Sequence, residues 1–219
     1  MFDADCLKLM FVAGSQDFYH IKGGKNDRIN ALLDTLESAL QSKITAFQFR
    51  QKGDLALQDP IEIKQLALEC QKLCQKYGVP FIVNDEAPLA LELKADGVHV
   101  GQEDMAIEEV ITLCKKRQFI GLSVNTLEQA LKARHLDGVA YLGVGPIFPT
   151  PSKKDKQVVG VELLKKIKDS GVKKPLIAIG GINTDNASKL REYGGIAVIS
   201  AIAQAKDKAL AVGKLLNHA

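Results

Sequence analysis

The chain is short of most features that would classify it quickly. It has no tryptophan, and only 5% of its 219 residues are aromatic. No apolar run approaches the ~20 residues a membrane helix needs, and no linker rich in Pro, Gly or Ser divides the chain. The N-terminal MFDADCLKLMFVAG carries two acids near its start, which does not suit a signal peptide. Net charge is only +3, from 29 basic and 26 acidic residues, with no long block of one sign. That balance does not support nucleic-acid or membrane binding. The cysteines, at 6, 70, 74 and 114, number four. Cys70 and Cys74 would share a helix face, but no nearby histidine completes a four-ligand metal set. Reduced thiols in a soluble, cytoplasmic protein are the expectation. There is no Ser-His-Asp pattern, no G-x-G-x-x-G and no P-loop, so triad and nucleotide-loop chemistry lack support.

What is present is a strict alternation of short apolar runs with helical patterns. LMFV (9–12), AFQFR (46–50), FIVND (81–85), GVHV (97–100), FIGLSV (119–124), YLGVG (141–145), PLIAIGG (175–181) and IAVIS (196–200) read as eight strands. Between them lie helical stretches at 28–42, 61–77, 88–93, 107–116, from Asn125 or Thr126 to about Leu136, at 161–170, 185–193 and 207–217. In the first, Ile29, Leu32, Leu33, Leu36 and Leu40 fall at helical spacing. Hydrophobic content of 46% suffices for a sizeable core. Eight βα units predict one domain over 1–219, an α/β chain closed as a single (β/α)8 TIM barrel. The long polar loop at 13–28 reads as a mobile rim element or a tolerated insertion.

In such a barrel the chemistry lies just past the strands. Asp85 follows the third strand and Asp104 the fourth, so two carboxylates reach one rim. Paired carboxylates suit Mg²⁺ held together with substrate phosphates. After the second strand, Gln48, Arg50 and Lys52 alternate on one face, suiting a multiply charged anion; solvated loop charge is the plain alternative. Asn84 adjoins Asp85, and Ser123 ends strand five, where a capping hydroxyl is the alternative. His99, inside GVHV, reads as a hydrogen-bonded core histidine rather than a ligand. Thr150, Ser152 and Lys153, with Pro151 among them, read as hydroxyls and a cation on a Pro-stiffened loop suited to clamping a phosphate, with a solvated loop as the alternative. Gly181, Ile199 and Ser200 end strands seven and eight, where barrels often cradle a phosphate.

Taken together, FQFRQKG, FIVNDEAPLALELKADGVHVGQEDM, GVGPIFPTPSKKD, AIGGI and AVISAI resemble the motifs of the thiamine phosphate synthases, (β/α)8 enzymes, over about residues 47–203. The resemblance implies a transferase that joins hydroxymethylpyrimidine diphosphate to a thiazole phosphate and releases pyrophosphate. It implies Mg²⁺ on Asp85 and Asp104. Gln48, Arg50, Lys52, Asn84, Ser123 and Lys153 would hold the pyrimidine diphosphate, with Lys52, Ser123 and Lys153 acting in the chemical step. Thr150, Pro151, Ser152, Gly181, Ile199 and Ser200 would hold the thiazole phosphate. Two phosphorylated small molecules are thus the expected partners, and an oligomer is compatible with the sequence.

Four departures stand out. Gln51 replaces an acid common in relatives. Thr150-Pro151-Ser152 replaces Thr-x-Thr, and Pro151 lacks an N–H. Glu86 stands where a basic residue is usual. The turn before Ile196 is about two residues short, with an expected effect on the contacts of strand eight. A related thiazole tautomerase would not need Asp85, Asp104 and Lys52 together, whereas other phosphate-binding or non-catalytic barrels remain rival readings.

Overall fold

A computed structural model describes residues 2–115, 117–150 and 157–218. Eight parallel strands close into a barrel in chain order: β1 (Leu9–Ala13), β2 (Ala46–Phe49), β3 (Phe81–Asn84), β4 (Gly97–Val100), β5 (Phe119–Val124), β6 (Val139–Val144), β7 (Leu176–Ile179) and β8 (Gly195–Val198). Closure is by β1 on β8, with Leu9 opposite Ile196 and Phe11 opposite Val198. The outer ring is α1 (Lys25–Gln41), α2 (Pro60–Tyr77), α3 (Ala87–Glu92), α4 (Ile107–Cys114), α5 (Leu127–Ala133), α6 (Gly160–Asp169), α7 (Ser200–Ala203) and α8 (Lys208–His218). The predicted (β/α)8 barrel is therefore the fold.

Local chemistry sets the helix ends. Asp59 accepts the Ile61 N–H at 2.8 Å, and Pro60 opens α2 where its missing N–H costs nothing. Gly78, at φ +67°, closes the same helix in the left-handed region. Thr126 caps α5 by a reciprocal pair, its Oγ accepting the Gln129 N–H while Gln129 Oε1 accepts the Thr126 N–H, both at 3.2 Å.

Alternation along the strands separates two cores. Leu9, Phe11, Phe47, Phe49, Phe81, Val83, Val98, Val100, Leu142 and Val144 face the helices and pack with Leu32, Leu36, Leu66 and Leu164. The other parity fills the barrel with Met10, Val12, Ala46, Ile82, Tyr141, Ile177 and Ala197. At the amino end Phe2 stacks on Tyr141 (centroids 6.1 Å apart) and leans on Phe119 (5.1 Å), closing the floor.

Three expectations need correction. The stretch 185–193 is not an α-helix; it holds only a 3₁₀ turn over Ala187–Leu190, because Asn183 and Asn186 hydrogen-bond their own local backbone and side chains. The helix at the fifth position stops at Ala133 rather than near Leu136. Ile199 and Ser200 do not end a strand: β8 stops at Val198, and Ser200 opens the short α7. The loop at 13–28 includes a 3₁₀ turn, Ser15–Phe18, tied to the residues just past β2. Gln16 Nε2 donates to the Arg50 carbonyl at 2.7 Å, and Ser15 Oγ donates to Gln51 Oε1 at 3.3 Å.

Candidate active site

The carboxyl-end rim of the barrel gathers most of the predicted residues. Asp85 has φ +66°, a left-handed conformation that Asp tolerates better than most residues. This bend turns the chain off β3. The Asp85 N–H donates to the His99 carbonyl at 2.8 Å, and the Glu86 N–H returns to the Asn84 carbonyl at 2.8 Å. Asp104 is placed by its own loop, one carboxylate oxygen accepting the Gly101 N–H at 2.7 Å.

Between the two carboxylates lies the ammonium of Lys52, 2.8 Å from Asp85 Oδ2 and 3.5 Å from Asp104 Oδ1. Burial and the hydrogen-bonded neighbour Asp104 push the Asp85 carboxyl up, and Lys52 pulls against them. For Asp104 burial also pushes up, but hydrogen bonds from Asp85 and the Gly101 N–H, together with the Lys52 charge, leave it lowered. The Asp85 hydrogen bond, with both carboxylate charges behind it, raises the Lys52 pKa. The two acids thus behave as a pair that one positive charge must satisfy. Their hard oxygens, already holding a cation between them, are of the donor type that would suit Mg²⁺. No cluster of three or more acidic, His or Cys ligands occurs among the described residues.

Below this rim, Gln48, Arg50, Asn84, His99, Ser123 and Tyr141 line one recess, walled by Ile177, Ile179 and Ile199. Gln48 is buried, Arg50 and Ser123 are half-buried, and the Lys52 side chain is 53% exposed. β2 ends at Phe49, so Gln48 projects inside the barrel while Arg50 and Lys52 continue up its wall. Gln51 faces the other way, its Oε1 accepting the Leu57 N–H at 3.1 Å and bracing the loop into α2. His99 is 8% exposed, with Nε2 2.9 Å from Ser123 Oγ and Nδ1 3.0 Å from the Tyr141 hydroxyl. Sequence reading missed Tyr141; its phenol meets a histidine 42 residues away, a contact that no local pattern announces.

Glu86 is exposed at the N-cap position of α3, where the helix end favours a negative charge. The shortened turn proves to lie at the opposite face. A Cβ on Gly194 would fall 2.3 Å from the Leu176 carbonyl, and one on Gly195 1.8 Å from that of Leu7, so this turn is built into the amino end of the barrel.

A second recess adjoins the first, lined by Pro146, Thr150, Gly180, Gly181, Ile199 and Ser200. Gly180 and Gly181 sit at φ +100° and +66° and press against the loop after β6. The Phe148 N–H donates to the Gly180 carbonyl at 3.0 Å, and a Cβ on Gly181 would fall 2.5 Å from the Pro149 carbonyl. Pro151, Ser152 and Lys153 lie outside the described residues.

Residues 18–202 match the family model described as thiamine monophosphate synthase. The chain belongs to this family. Thiamine-phosphate synthase of Helicobacter pylori strain 26695 is 93% identical over 219 residues, covering all of both chains. That of Pasteurella multocida strain Pm70 is 51% identical, covering 97% of this chain and 96% of its own. Among solved structures, thiamine phosphate pyrophosphorylase from Pyrococcus furiosus superposes with a TM-score of 0.81 at 36% identity, covering 98% of this chain and 96% of its own. As a thiamine monophosphate synthase family member the chain is an enzyme, a transferase in thiamine biosynthesis. No helix among the described residues is long and apolar enough to cross a membrane.

Proposed function

We propose that the chain condenses hydroxymethylpyrimidine diphosphate with hydroxyethylthiazole phosphate to give thiamine phosphate and pyrophosphate. The observation that carries this reading is the pairing of two kinds of site. A charged rim of Lys52, Asp85 and Asp104 stands beside a recess that offers amide, imidazole and hydroxyl groups. A diphosphate suits the rim, and a small heteroaromatic ring suits the recess.

In the reaction the bond between the pyrimidine methylene carbon and its diphosphate oxygen breaks, and the electron pair leaves with the oxygen. The aminopyrimidine ring stabilises the resulting carbocation. Arg50 and Lys52 neutralise charge as it grows on the leaving group. Asp85 and Asp104 would hold the Mg²⁺, which when bound supplies Lewis-acid stabilisation of diphosphate oxygens. Gln48, Asn84 and Ser123 orient the ring. Gly181, Ile199, Ser200 and Thr150, with Pro151 and Ser152, hold the thiazole phosphate so that the thiazole nitrogen attacks the carbon at close range. Lys153 adds a further cation for the diphosphate. The chemistry needs no protein nucleophile.

The direct assay mixes the purified protein with both phosphorylated substrates and Mg²⁺. Thiamine phosphate and pyrophosphate in equal amounts are expected. A protein that converts only the thiazole phosphate, or neither substrate, would overturn the reading.

A further inference from the structure

Gln48, Tyr141, His99 and Ser123 all line the recess, and the last three are joined by hydrogen bonds. Gln48 Nε2 lies 3.6 Å from the Met10 sulfur. A thioether only accepts, so the amide turns its NH₂ end toward Met10. The Gln48 side chain also acts on Tyr141, lowering its phenol pKa against the larger upward push of burial. Tyr141 is fully buried, and burial keeps its proton in place far above neutrality. A buried phenol left without an acceptor for its proton is costly, and the acceptor within reach is His99 Nδ1, at 3.0 Å. A neutral imidazole that accepts at Nδ1 carries its hydrogen on Nε2, which donates to Ser123 Oγ at 2.9 Å. Ser123 then has its own O–H left to give.

The cavity around this chain is shaped for it. A Cβ on Gly121 would fall 2.2 Å from Tyr141 Cζ and 2.4 Å from His99 Nδ1, and one on Gly143 2.8 Å from His99 Cε1. One position on each of two neighbouring strands, β5 and β6, is thus glycine, leaving room for the imidazole and the phenol.

We propose that Tyr141 and His99 are positioning residues that fix the hydrogen-bond polarity of the recess, leaving Gln48 as its acceptor and Ser123 as its donor. A ring edge that offers an amino group beside an unprotonated ring nitrogen matches that polarity. An edge with a carbonyl beside a ring N–H presents the reverse and leaves buried groups unpaired, which is costly. The inference rests on the proposed pyrimidine substrate and adds the reason a 4-amino ring is chosen over a 4-oxo ring.

The test begins on the intact chain with ¹⁵N-labelled histidine, the His99 signals being assigned by their loss in His99→Gln. The neutral ring is expected with hydrogen on Nε2 and none on Nδ1; the opposite tautomer overturns the proposal. Kinetically, Tyr141→Phe is expected to raise KM for the pyrimidine diphosphate about 10-fold. Its KM for the thiazole phosphate should stay unchanged, and its preference for 4-amino over 4-oxo pyrimidine diphosphate should fall by a similar factor. A drop in kcat with both KM values and the preference intact marks a purely structural role and sinks the idea. Should Tyr141→Phe fold poorly, His99 gives the same test. Here His99→Gln, whose amide can give an N–H to Ser123, should keep more of the preference than His99→Leu, and equal loss in the two counts against the proposal. The tautomer needs no turnover to be read. A protein without synthase activity but with the Nε2–H ring refutes the substrate reading alone, whereas an active protein with the Nδ1–H ring refutes the polarity chain alone.

Discussion

Lys52 Nζ and Asp85 Oδ2 are 2.8 Å apart, and the same ammonium reaches Asp104 at 3.5 Å. A cation therefore sits between the two carboxylates at the rim. In the proposed reaction the ammonium would compete there with Mg²⁺ for the same oxygens, and both positive charges would act on a departing diphosphate.

Replacing Lys52 by Ala should separate these effects. Losing one charge that stabilises the leaving group should lower kcat about 10²–10³-fold. Removing the competing ammonium should also lower the Mg²⁺ concentration needed for half-maximal rate. Steady-state rates over a Mg²⁺ series read both quantities. A variant with wild-type kcat and Mg²⁺ requirement would remove Lys52 from the chemistry.

Asp85→Ala takes away one of the two carboxylates that would hold the ion. Mg²⁺-dependent turnover should disappear while the circular dichroism spectrum and cooperative unfolding persist, because the Asp85 side chain belongs to the rim and not to either core. Undiminished turnover in this variant contradicts the metal role.

Asp17 gives a pH-dependent stability with a definite sign. Burial raises its carboxyl from 3.8 to about 6, against the Gly14 N–H, the Arg50 charge and the Gln16 amide, which all lower it. The folded chain thus holds this proton to higher pH than the unfolded chain does. Between about pH 4 and pH 6 the folded state binds more protons, so this group makes unfolding easier as pH rises, by at most about 3 kcal/mol. Asp17→Asn keeps an acceptor for the Gly14 N–H, 2.9 Å from Asp17 Oδ2, and removes the ionisation. Urea unfolding at pH 4.5 and pH 7 should show the variant gaining on the parent chain at the higher pH. A difference that does not change with pH would contradict the burial effect.

Much of the fold was legible because its signals are local. The runs at 97–100 and 119–124 coincide with β4 and β5, since short, mostly apolar runs bounded by turns leave little choice. Asp85 and Asp104 could be found from their places after two consecutive strands. What stayed hidden depends on distance or on short elements. The four-residue α7 is too brief for a periodic pattern, so Ser200 read as the end of a strand. The 185–193 stretch contains helix-compatible residues, but Asn183, Thr184, Asp185 and Asn186 commit the chain to local side-chain turns. Lys52 read as a diphosphate ligand, and nothing in its alternation with Gln48 and Arg50 reveals that it meets both acids.

Gly121 tests the packing of the barrel floor. In Gly121→Ala the added methyl would overlap the Tyr141 ring and the His99 imidazole. A loss of about 1–3 kcal/mol or more is expected, which for a chain of this length lowers Tm by several degrees. Calorimetry of the variant reads this directly, and an unchanged Tm would contradict the close approach of strand and ring.

In the proposed reaction this chain makes thiamine phosphate from two phosphorylated precursors at the site by the Lys52–Asp85–Asp104 rim. The most direct measurement follows thiamine phosphate and pyrophosphate together when the purified chain, both precursors and Mg²⁺ are combined, with and without a chelator. Equimolar appearance of the two products, abolished by the chelator, is the predicted result. Absence of thiamine phosphate while the protein is folded and Mg²⁺ is present would contradict the account.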